Sequence, residues 1–160
     1  MTEAAIGLGS NLGDRMAYLD FGLEGIGRLG ELVARSSVYE TAPIGGPPQE
    51  PYLNMVVMLE TSVAPGELLE EMASVEDAAG RVRPSPAAPR TLDLDLLLYG
   101  DLVVDEPGLR VPHPRMLARR FVIEPLLEVR PKAKLPDGTR ISDYTEIVAN
   151  QEVRPYEAAS

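Results

Sequence analysis

The spacing of apolar residues predicts two long helices in the first half of the chain. Apolar residues recur at helical spacing within residues 13–29, at Met16, Leu19, Leu23 and Ile26. Asp14 stands where a residue would cap the start of this helix. Residues 65–80 begin near a proline, carry acids early and end on a glycine, which predicts the second helix.

Shorter apolar runs predict the strands. Residues 4–11 are expected to form a strand ending in a turn, and residues 32–41 alternate apolar and polar side chains as one strand does. Residues 52–62 are apolar at nearly every position, which indicates a strand buried on both faces. Residues 90–101 predict a strand that leads into a turn, and residues 102–106 are expected to be its hairpin partner.

The remaining segments complete an α+β pattern. Residues 111–131 predict one or two short helices broken by prolines, residues 136–140 a turn, and residues 141–151 a final helical piece. The second and third strands are joined without a helix. We therefore expect a ferredoxin-like fold rather than a doubly wound parallel sheet, with helices covering a mostly antiparallel sheet in three αβα layers.

Two proline-rich loops interrupt this pattern. Residues 42–51 contain four prolines and two glycines, and residues 81–89 form a second such stretch before the strand at 90–101. Long loops in small domains are often functional. We expect both loops to close over bound substrates and exclude water.

Composition narrows the class of protein. The 160 residues fit a single domain over residues 1–160, and 44% hydrophobic residues can fill one core. The chain has no cysteine, no recognisable signal peptide and no apolar run that could span a membrane, so we expect a cytoplasmic protein. A net charge of −10 disfavours a nucleic-acid partner, yet local arginine clusters suggest a pocket for a small anion.

The sharpest chemical feature is the pair Asp93 and Asp95. On a strand, residues two apart point to the same face, so the two carboxylates lie together while Leu92, Leu94 and Leu96 enter the core. Two neighbouring carboxylates repel unless a cation lies between them, and Mg²⁺ prefers such ligands together with substrate phosphates. The alternative, a solvated sheet face, is the commoner fate of an isolated Asp-x-Asp. Here the adjacent Arg90 and the two arginines of the preceding loop favour the metal.

Other candidates are weaker when taken singly. His113 is the only histidine, is flanked by prolines and is assigned a phosphate contact, although a lone histidine is more often structural. Tyr52 and Asn54 offer a ring and an amide on one strand face, which suits a planar heterocycle. Phe121 could stack on the other side of that heterocycle or simply pack in the core. The glycines of residues 7–13 are interpreted as permitting a tight strand-to-helix turn.

These segments together resemble one known family. GLGSN (7–11), SSVYETAPIG (36–45), PYLNMVV (51–57), GRVR (80–83), PRTLDLDLLLYG (89–100) and VPHPRMLARRFVIEPLLEVRP (111–131) are similar to hydroxymethyl-dihydropterin pyrophosphokinase. The resemblance runs from about residue 4 to about residue 138. It implies a ferredoxin-like fold and transfer of pyrophosphate from ATP to 6-hydroxymethyl-7,8-dihydropterin, with release of AMP, in tetrahydrofolate biosynthesis.

The resemblance also implies roles for individual residues. Two Mg²⁺ ions are expected on Asp93 and Asp95. Arg81, Arg90, His113 and Arg119 are expected to bind or stabilise the ATP phosphates. Arg83 is expected on the nucleotide side in the same loop as Arg81, and Glu76 matches a position near the adenine. The pterin is expected between Tyr52 and Phe121, with Asn54 reading its edge and Thr41, Ala42 and Ile44 lining the pocket. ATP and the pterin are the expected partners of a monomer.

The chain departs from the family pattern in one region. The loop after Arg83 is one residue shorter than usual and has no tryptophan, and Pro114 stands where the family has an aromatic residue. Both changes touch the nucleotide side of the site. They bear on ATP affinity and on the packing of the loop rather than on the carboxylate pair.

Two other functions remain open from the sequence. A metal-dependent phosphodiesterase or nuclease could use the same Asp-x-Asp, but it would usually have further histidine or carboxylate ligands. A non-catalytic nucleotide- or pterin-binding module could keep Tyr52 and Asn54 and dispense with the carboxylates and arginines. The presence of both sets favours the enzyme.

Overall fold

The computed structural model describes residues 1–41, 50–80 and 91–156. The strands in chain order are β1 (Thr2–Ser10), β2 (Glu31–Arg35), β3 (Tyr39–Thr41), β4 (Tyr52–Thr61), β5 (Asp93–Tyr99), β6 (Val104–Glu106), β7 (Leu109–Val111) and β8 (Val153–Pro155). The helices are α1 (Arg15–Gly27), α2 (Pro65–Ala78) and α3 (Arg120–Val129), with 3-10 turns at Met116–Ala118 and Ile141–Tyr144.

One antiparallel sheet organises the chain. Its strands lie in the order β5-β1-β4-β3-β8, and β2 also pairs with β4. Every pair in this sheet is antiparallel. The predicted α+β class with a mostly antiparallel sheet is therefore confirmed.

Helices cover both faces of the sheet, because β4 alternates its side chains between two apolar clusters. Leu53, Met55, Val57 and Leu59 join α1 and α2 residues such as Leu19 and Met72 on one face. Val56 and Met58 join α3 residues such as Ile123 and Leu126 on the other. The prediction that β4 is buried on both faces is confirmed.

The two long helices begin as their sequences predict. Asp14 caps α1, since its Oδ1 accepts a hydrogen bond from the backbone N–H of Ala17 at 3.1 Å. Helix α2 starts with Pro65, a residue suited to the first helical position because it has no N–H to satisfy.

The predicted strand over residues 32–41 is two strands. Residues 36–38 interrupt it, and Ser36 bonds to β4 instead: its N–H donates to Val56 O at 2.9 Å, and Val56 N–H donates to Ser36 Oγ at 3.0 Å. A serine hydroxyl can replace a ladder hydrogen bond in this way. Strand β3 then resumes the pairing, with Tyr39 opposite Asn54.

The prediction that residues 102–106 pair with β5 is wrong. Strand β6 pairs with β7, with Val104 opposite Val111. The turn between them is Pro107-Gly108, and Gly108 adopts φ +81°, which a glycine accepts without strain. Because the turn has only two residues, it places β7 directly beside β6, and β6 pairs with β7 instead of with β5.

The helical prediction for residues 141–151 holds only for the 3-10 turn Ile141–Tyr144. Beyond it the chain forms β8 on the outer edge of β3, with Val153 opposite Thr41. The prediction of one or two short helices over residues 111–131 holds, since the region contains the 3-10 turn Met116–Ala118 and α3, but the buried Pro125 lies inside α3 and does not break it.

Candidate active site

The register of the sheet brings the predicted carboxylates and the predicted pterin contacts onto one face. Asp93 lies opposite Gly9 of β1, and Gly9 lies opposite Asn54 of β4. Residues directly opposite each other in an antiparallel sheet project to the same side. One row across the sheet therefore reads Asp93, Gly9, Asn54, Tyr39, on the face that α3 covers.

Strand β5 alternates as predicted. Leu92, Leu94 and Leu96 belong to the core cluster beneath α1 and α2. Asp93 and Asp95 point the other way and are partly exposed, with the Asp95 side chain 34% accessible. The predicted common face of the two carboxylates is thus present in the structure.

The backbone between the two aspartates is held by a buried acid. Glu76 of α2 is 7% exposed, and its Oε2 accepts the backbone N–H of Leu94 at 2.8 Å. Strand β5 is the edge of the sheet, so this carboxylate satisfies an amide that no further strand could reach.

Loss of the hydrogen bond between Glu76 and the Leu94 amide should lower the free energy of unfolding. Replacing Glu76 with alanine leaves the Leu94 amide without this acceptor, and we expect a loss of about 1–3 kcal/mol in the free energy of unfolding. Urea unfolding measures it, with the exposed Glu71 on the same helix replaced by alanine as the control. Glu76→Gln keeps an acceptor oxygen and should lose less. Equal stability of the two alanine variants would contradict this role for Glu76.

His113 is aimed at the carboxylate pair by its backbone. Its N–H donates to Leu97 O at 2.9 Å, and Leu97 is the extra residue of a bulge in the pairing of β5 with β1. Its ring Nδ1 accepts the N–H of Arg115 at 3.1 Å, so the neutral ring carries its proton on Nε2. That Nε2 lies 3.9 Å from Asp95 Oδ1.

The electrostatics of His113 favour its neutral form. Burial is the largest cause that lowers the pKa of His113, and the nearby charges of Arg119 and Arg115 lower this pKa further. The charge of Asp93 acts in the opposite direction and raises it. The neutral ring remains a hydrogen-bond donor through Nε2. Arg119 and Arg115 thus supply positive charge near the His113 ring.

Arg119 and Phe121 form one unit at the start of α3. The guanidinium carbon of Arg119 stands 5.4 Å from the centre of the Phe121 ring, a cation–π arrangement that orients both side chains. Arg119 also acts electrostatically on His113. The structure therefore joins the predicted phosphate contacts to a predicted pterin contact.

Strands β3 and β4, on the pterin side of the site, carry two buried oxygen atoms that have no hydrogen-bond partner among the described residues. Thr41 lies opposite Tyr52, so the two share the face that Asn54 occupies. Among the described residues, Asn54 Oδ1 and Thr41 Oγ1 are buried and have no hydrogen-bond partner. Buried polar atoms in native proteins are normally hydrogen-bonded, so these two oxygens are candidates for contact with a bound molecule or a water.

Gly9 is not among the site residues that the sequence predicts, since the glycines of residues 7–13 are expected to form a turn. Gly7 and Gly9 lie inside β1, and the positive φ of a turn occurs at Gly13, with φ +72°. A Cβ at Gly9 would stand 3.0 Å from Asn54 Nδ2 and 3.7 Å from Tyr52 Cδ1. The glycine keeps open the space between Asp93 and Asn54; its alternation with Ile6 and Leu8 was the available signal.

Several predicted site residues lie outside the described residues. They are Ala42, Ile44, Arg81, Arg83 and Arg90, together with the loop residues beside them. In the ranges that the structure does describe, no group of three or more histidine, cysteine, aspartate or glutamate side chains is placed to hold a metal ion. Asp93 and Asp95 are the two carboxylates that share this face of the sheet.

Comparison with known proteins decides the family. The family model described as 7,8-dihydro-6-hydroxymethylpterin-pyrophosphokinase (HPPK) matches residues 5–131. The chain belongs to this family. The resemblance stated from the sequence is confirmed, and so is the class of enzyme, a pyrophosphokinase of tetrahydrofolate biosynthesis.

Curated HPPK relatives match over most of their length. The 2-amino-4-hydroxy-6-hydroxymethyldihydropteridine pyrophosphokinase of Pseudomonas aeruginosa is 41% identical over 140 residues, 86% of each chain. That of Haemophilus influenzae is 38% identical over 96% of this chain and 97% of its own. The Bacillus subtilis protein is 43% identical over 79% of this chain and 77% of its own.

Solved HPPK structures share the fold. A Plasmodium falciparum HPPK-DHPS superimposes with a TM-score of 0.72 at 14% identity, covering 92% of this chain and 44% of that one. An HPPK-DHPS in complex with substrates gives the same TM-score at 11% identity. This chain spans less than half of those longer chains.

Two further findings concern the co-substrate of this HPPK chain and its helices. The family uses ATP, so ATP as co-substrate is supported, alongside a small-molecule acceptor. Within residues 1–41, 50–80 and 91–156, no helix has both the length and the apolar character needed to cross a bilayer.

Proposed function

We propose that this chain transfers the pyrophosphate of ATP to the hydroxymethyl group of 6-hydroxymethyl-7,8-dihydropterin and releases AMP, with the carboxylate pair and Asn54 at its centre. One observation carries the proposal: Asp93 and Asn54 share a sheet face with only Gly9 between them. Two strand spacings separate their backbones by about 10 Å, which suits a hydroxymethyl group on the pterin side meeting phosphates on the carboxylate side.

The pterin pocket is proposed from β4 and α3. Tyr52 and Phe121 are partly buried on these two elements and would stack on either side of the ring. Asn54 Oδ1 and Thr41 Oγ1 would pair with polar atoms of the pterin edge, which accounts for their lack of partners in the described residues. Ala42 and Ile44 are proposed to complete the wall.

The donor set fits magnesium. Asp93 and Asp95 offer two hard oxygen ligands on one face, and Mg²⁺ commonly takes one or two carboxylates and completes its shell with phosphate oxygens and water. We propose that these residues hold two such ions. When bound, the ions would supply positive charge that offsets the negative charge developing on the phosphates.

The phosphates would be met by Arg119 and His113. Arg119 is held over Phe121, and the Nε2–H of neutral His113 is directed to the same region as Asp95. Both can donate to phosphate oxygens as charge builds on the transferred group. Arg81, Arg83 and Arg90 are proposed to act with them, and Glu76 is proposed near the adenine as well as beneath β5.

The reaction needs positioning rather than a covalent enzyme intermediate. The pterin hydroxyl oxygen forms a bond to the β-phosphorus while the bond from that phosphorus to the oxygen bridging it to the α-phosphate breaks, and AMP leaves. The hydroxyl proton is released to solvent. Stacking between Tyr52 and Phe121 would hold the nucleophile in line with the leaving group.

The wider organisation is proposed as well. The strand order β5-β1-β4-β3, with α1 and α2 as the helical connections between strands, supports a ferredoxin-like arrangement. Helix α3 adds the third layer. We propose a single domain over residues 1–160. We also propose that the chain acts as a monomer in the cytoplasm, a compartment that its lack of cysteine suits.

The decisive assay measures AMP. With ATP, Mg²⁺ and 6-hydroxymethyl-7,8-dihydropterin, we expect AMP and the pterin pyrophosphate in equal amounts, and no AMP when the pterin is omitted. A phosphodiesterase would hydrolyse a diester substrate without the pterin. A binding module would form no product, which would overturn the proposal.

A further inference from the structure

A carboxylate on α3 ties this helix to the strand beside the proposed pterin pocket. Glu128 Oε1 accepts the hydroxyl of Tyr39 at 2.6 Å. Its Oε2 accepts the backbone N–H of Ser37 at 2.7 Å and the Ser37 hydroxyl at 3.0 Å. We call Ser37, Tyr39 and Glu128 the Glu128 anchor.

The protonation states of the anchor are favourable. Burial raises the pKa of Glu128, but hydrogen bonds from Tyr39 and Ser37 outweigh it and hold that pKa below its usual value. Burial and the hydrogen bond to Glu128 raise the pKa of Tyr39 to about 12. At neutral pH, Tyr39 is therefore a neutral donor to an anion, and hydrogen bonds of this kind are short and strong.

The strand end of the anchor touches the proposed pocket. Tyr39 lies directly opposite Asn54, and Thr41 lies opposite Tyr52. These four side chains share one face of the sheet. A shift of β3 would therefore move the neighbours of Asn54 and Tyr52.

The helix end of the anchor lies on the same side of α3 as Phe121. Phe121 and Glu128 are seven residues apart within Arg120–Val129, which is close to two turns and about 10 Å along the axis. The apolar contacts of Val122, Ile123 and Leu126 hold α3 on the sheet but have no preferred direction. The hydrogen bonds at Glu128 are directional, and one of them joins α3 to Tyr39 of β3.

We propose that Glu128 is a positioning residue for the pterin pocket: by holding Ser37 and Tyr39 against α3, it sets the place of the Phe121 ring across from Tyr52. The inference rests on the proposed function, because it assigns Phe121 and Tyr52 to the pterin. Glu128 itself touches neither substrate. Its loss should weaken pterin binding and leave ATP binding and the chemical step nearly unchanged.

The chain provides a matched control. Arg130, just after the end of α3, forms a salt bridge with Glu3 of β1. Its Nε donates to Glu3 Oε1 at 2.9 Å, and its Nη2 donates to Glu3 Oε2 at 2.8 Å. This pair ties the same end of α3 to the sheet but does not touch β3. Glu3→Ala and Glu128→Ala therefore both remove a carboxylate tie, and only the second releases the strand beside the pocket.

Steady-state kinetics and fluorine NMR test the proposal together. The chain has two phenylalanines, so fluorophenylalanine labelling gives a signal from Phe121 and a reference from Phe21 on α1. Phe121→Leu assigns the signals. For Glu128→Ala we expect the pterin KM to rise about fivefold to tenfold, with kcat and the ATP KM within about twofold, and the Phe121 signal to move. Glu128→Gln, which keeps one acceptor oxygen, should give a smaller rise.

The outcomes separate the two claims. No AMP from the wild-type protein would overturn the proposed function and with it the pterin role of Glu128. With an active wild type, a pterin KM in Glu128→Ala no higher than in Glu3→Ala would overturn the positioning role alone. An unmoved Phe121 signal, or an equal rise in the KM of both substrates, would overturn it too.

Discussion

We expect Asp95→Ala to lower kcat by about three to five powers of ten, the equivalent of about 4–7 kcal/mol in the activation free energy. The variant loses one of the two proposed magnesium ligands, so charge on the transferred group is no longer neutralised. The fold should survive, since Asp95 is partly exposed and its removal relieves repulsion with Asp93. Rates of AMP formation and thermal melting curves measure the two effects.

Asp105→Ala serves as the control for Asp95→Ala. Asp105 is also a strand aspartate, on β6, but its side chain is 85% exposed and pairs with Arg110 at 3.3 Å. Its kcat should stay within about twofold of the wild-type value, as for most surface substitutions. Near-normal turnover in Asp95→Ala, or an equal loss in both variants, would remove the metal assignment.

We expect Gly9→Ala to raise the pterin KM by about 30-fold to 100-fold, a loss of about 2–3 kcal/mol in binding. The new Cβ would stand 3.0 Å from Asn54 Nδ2, closer than ordinary contacts, and would push the amide away from the pterin edge. A misplacement of this size has large effects on reactions that depend on alignment. Separate titrations of pterin and of an ATP analogue should show that ATP affinity stays within about twofold.

Gly7 offers the matched control on the same face of the same strand. A Cβ there would meet Leu97 Cδ1 at 3.6 Å and Asp95 Cβ at 3.9 Å, both ordinary van der Waals distances. We expect Gly7→Ala to change the pterin KM by less than about threefold. Equal effects of the two substitutions would show that the space between Asp93 and Asn54 has no special role.

Features that depend on neighbouring residues could be predicted from the sequence. The Asp14 cap and the Pro65 start placed α1 and α2, and the alternation of leucines with Asp93 and Asp95 gave the orientation of β5. Each of these signals lies within a few residues of the structure it specifies. The carboxylate pair was therefore found without the fold.

Features that depend on distant partners could not be predicted in the same way. Strand β8 is three residues long and is ordered by pairing with β3, more than a hundred residues earlier in the chain. The closeness of Asp93 to Asn54 follows from two registers that meet at Gly9. One local feature was also predicted wrongly, because β6 pairs with β7 across the Pro107-Gly108 turn rather than with β5.

The central claim is that Asp93 and Asp95 together hold the cations that carry the triphosphate. The most direct measurement is an anomalous difference map from a crystal grown with Mn²⁺, which substitutes for Mg²⁺ on oxygen ligands, and a non-hydrolysable ATP analogue. We expect two peaks, each within coordination distance of one or both carboxylates and of phosphate oxygens. Bound analogue with both carboxylates remote from every peak would contradict the account.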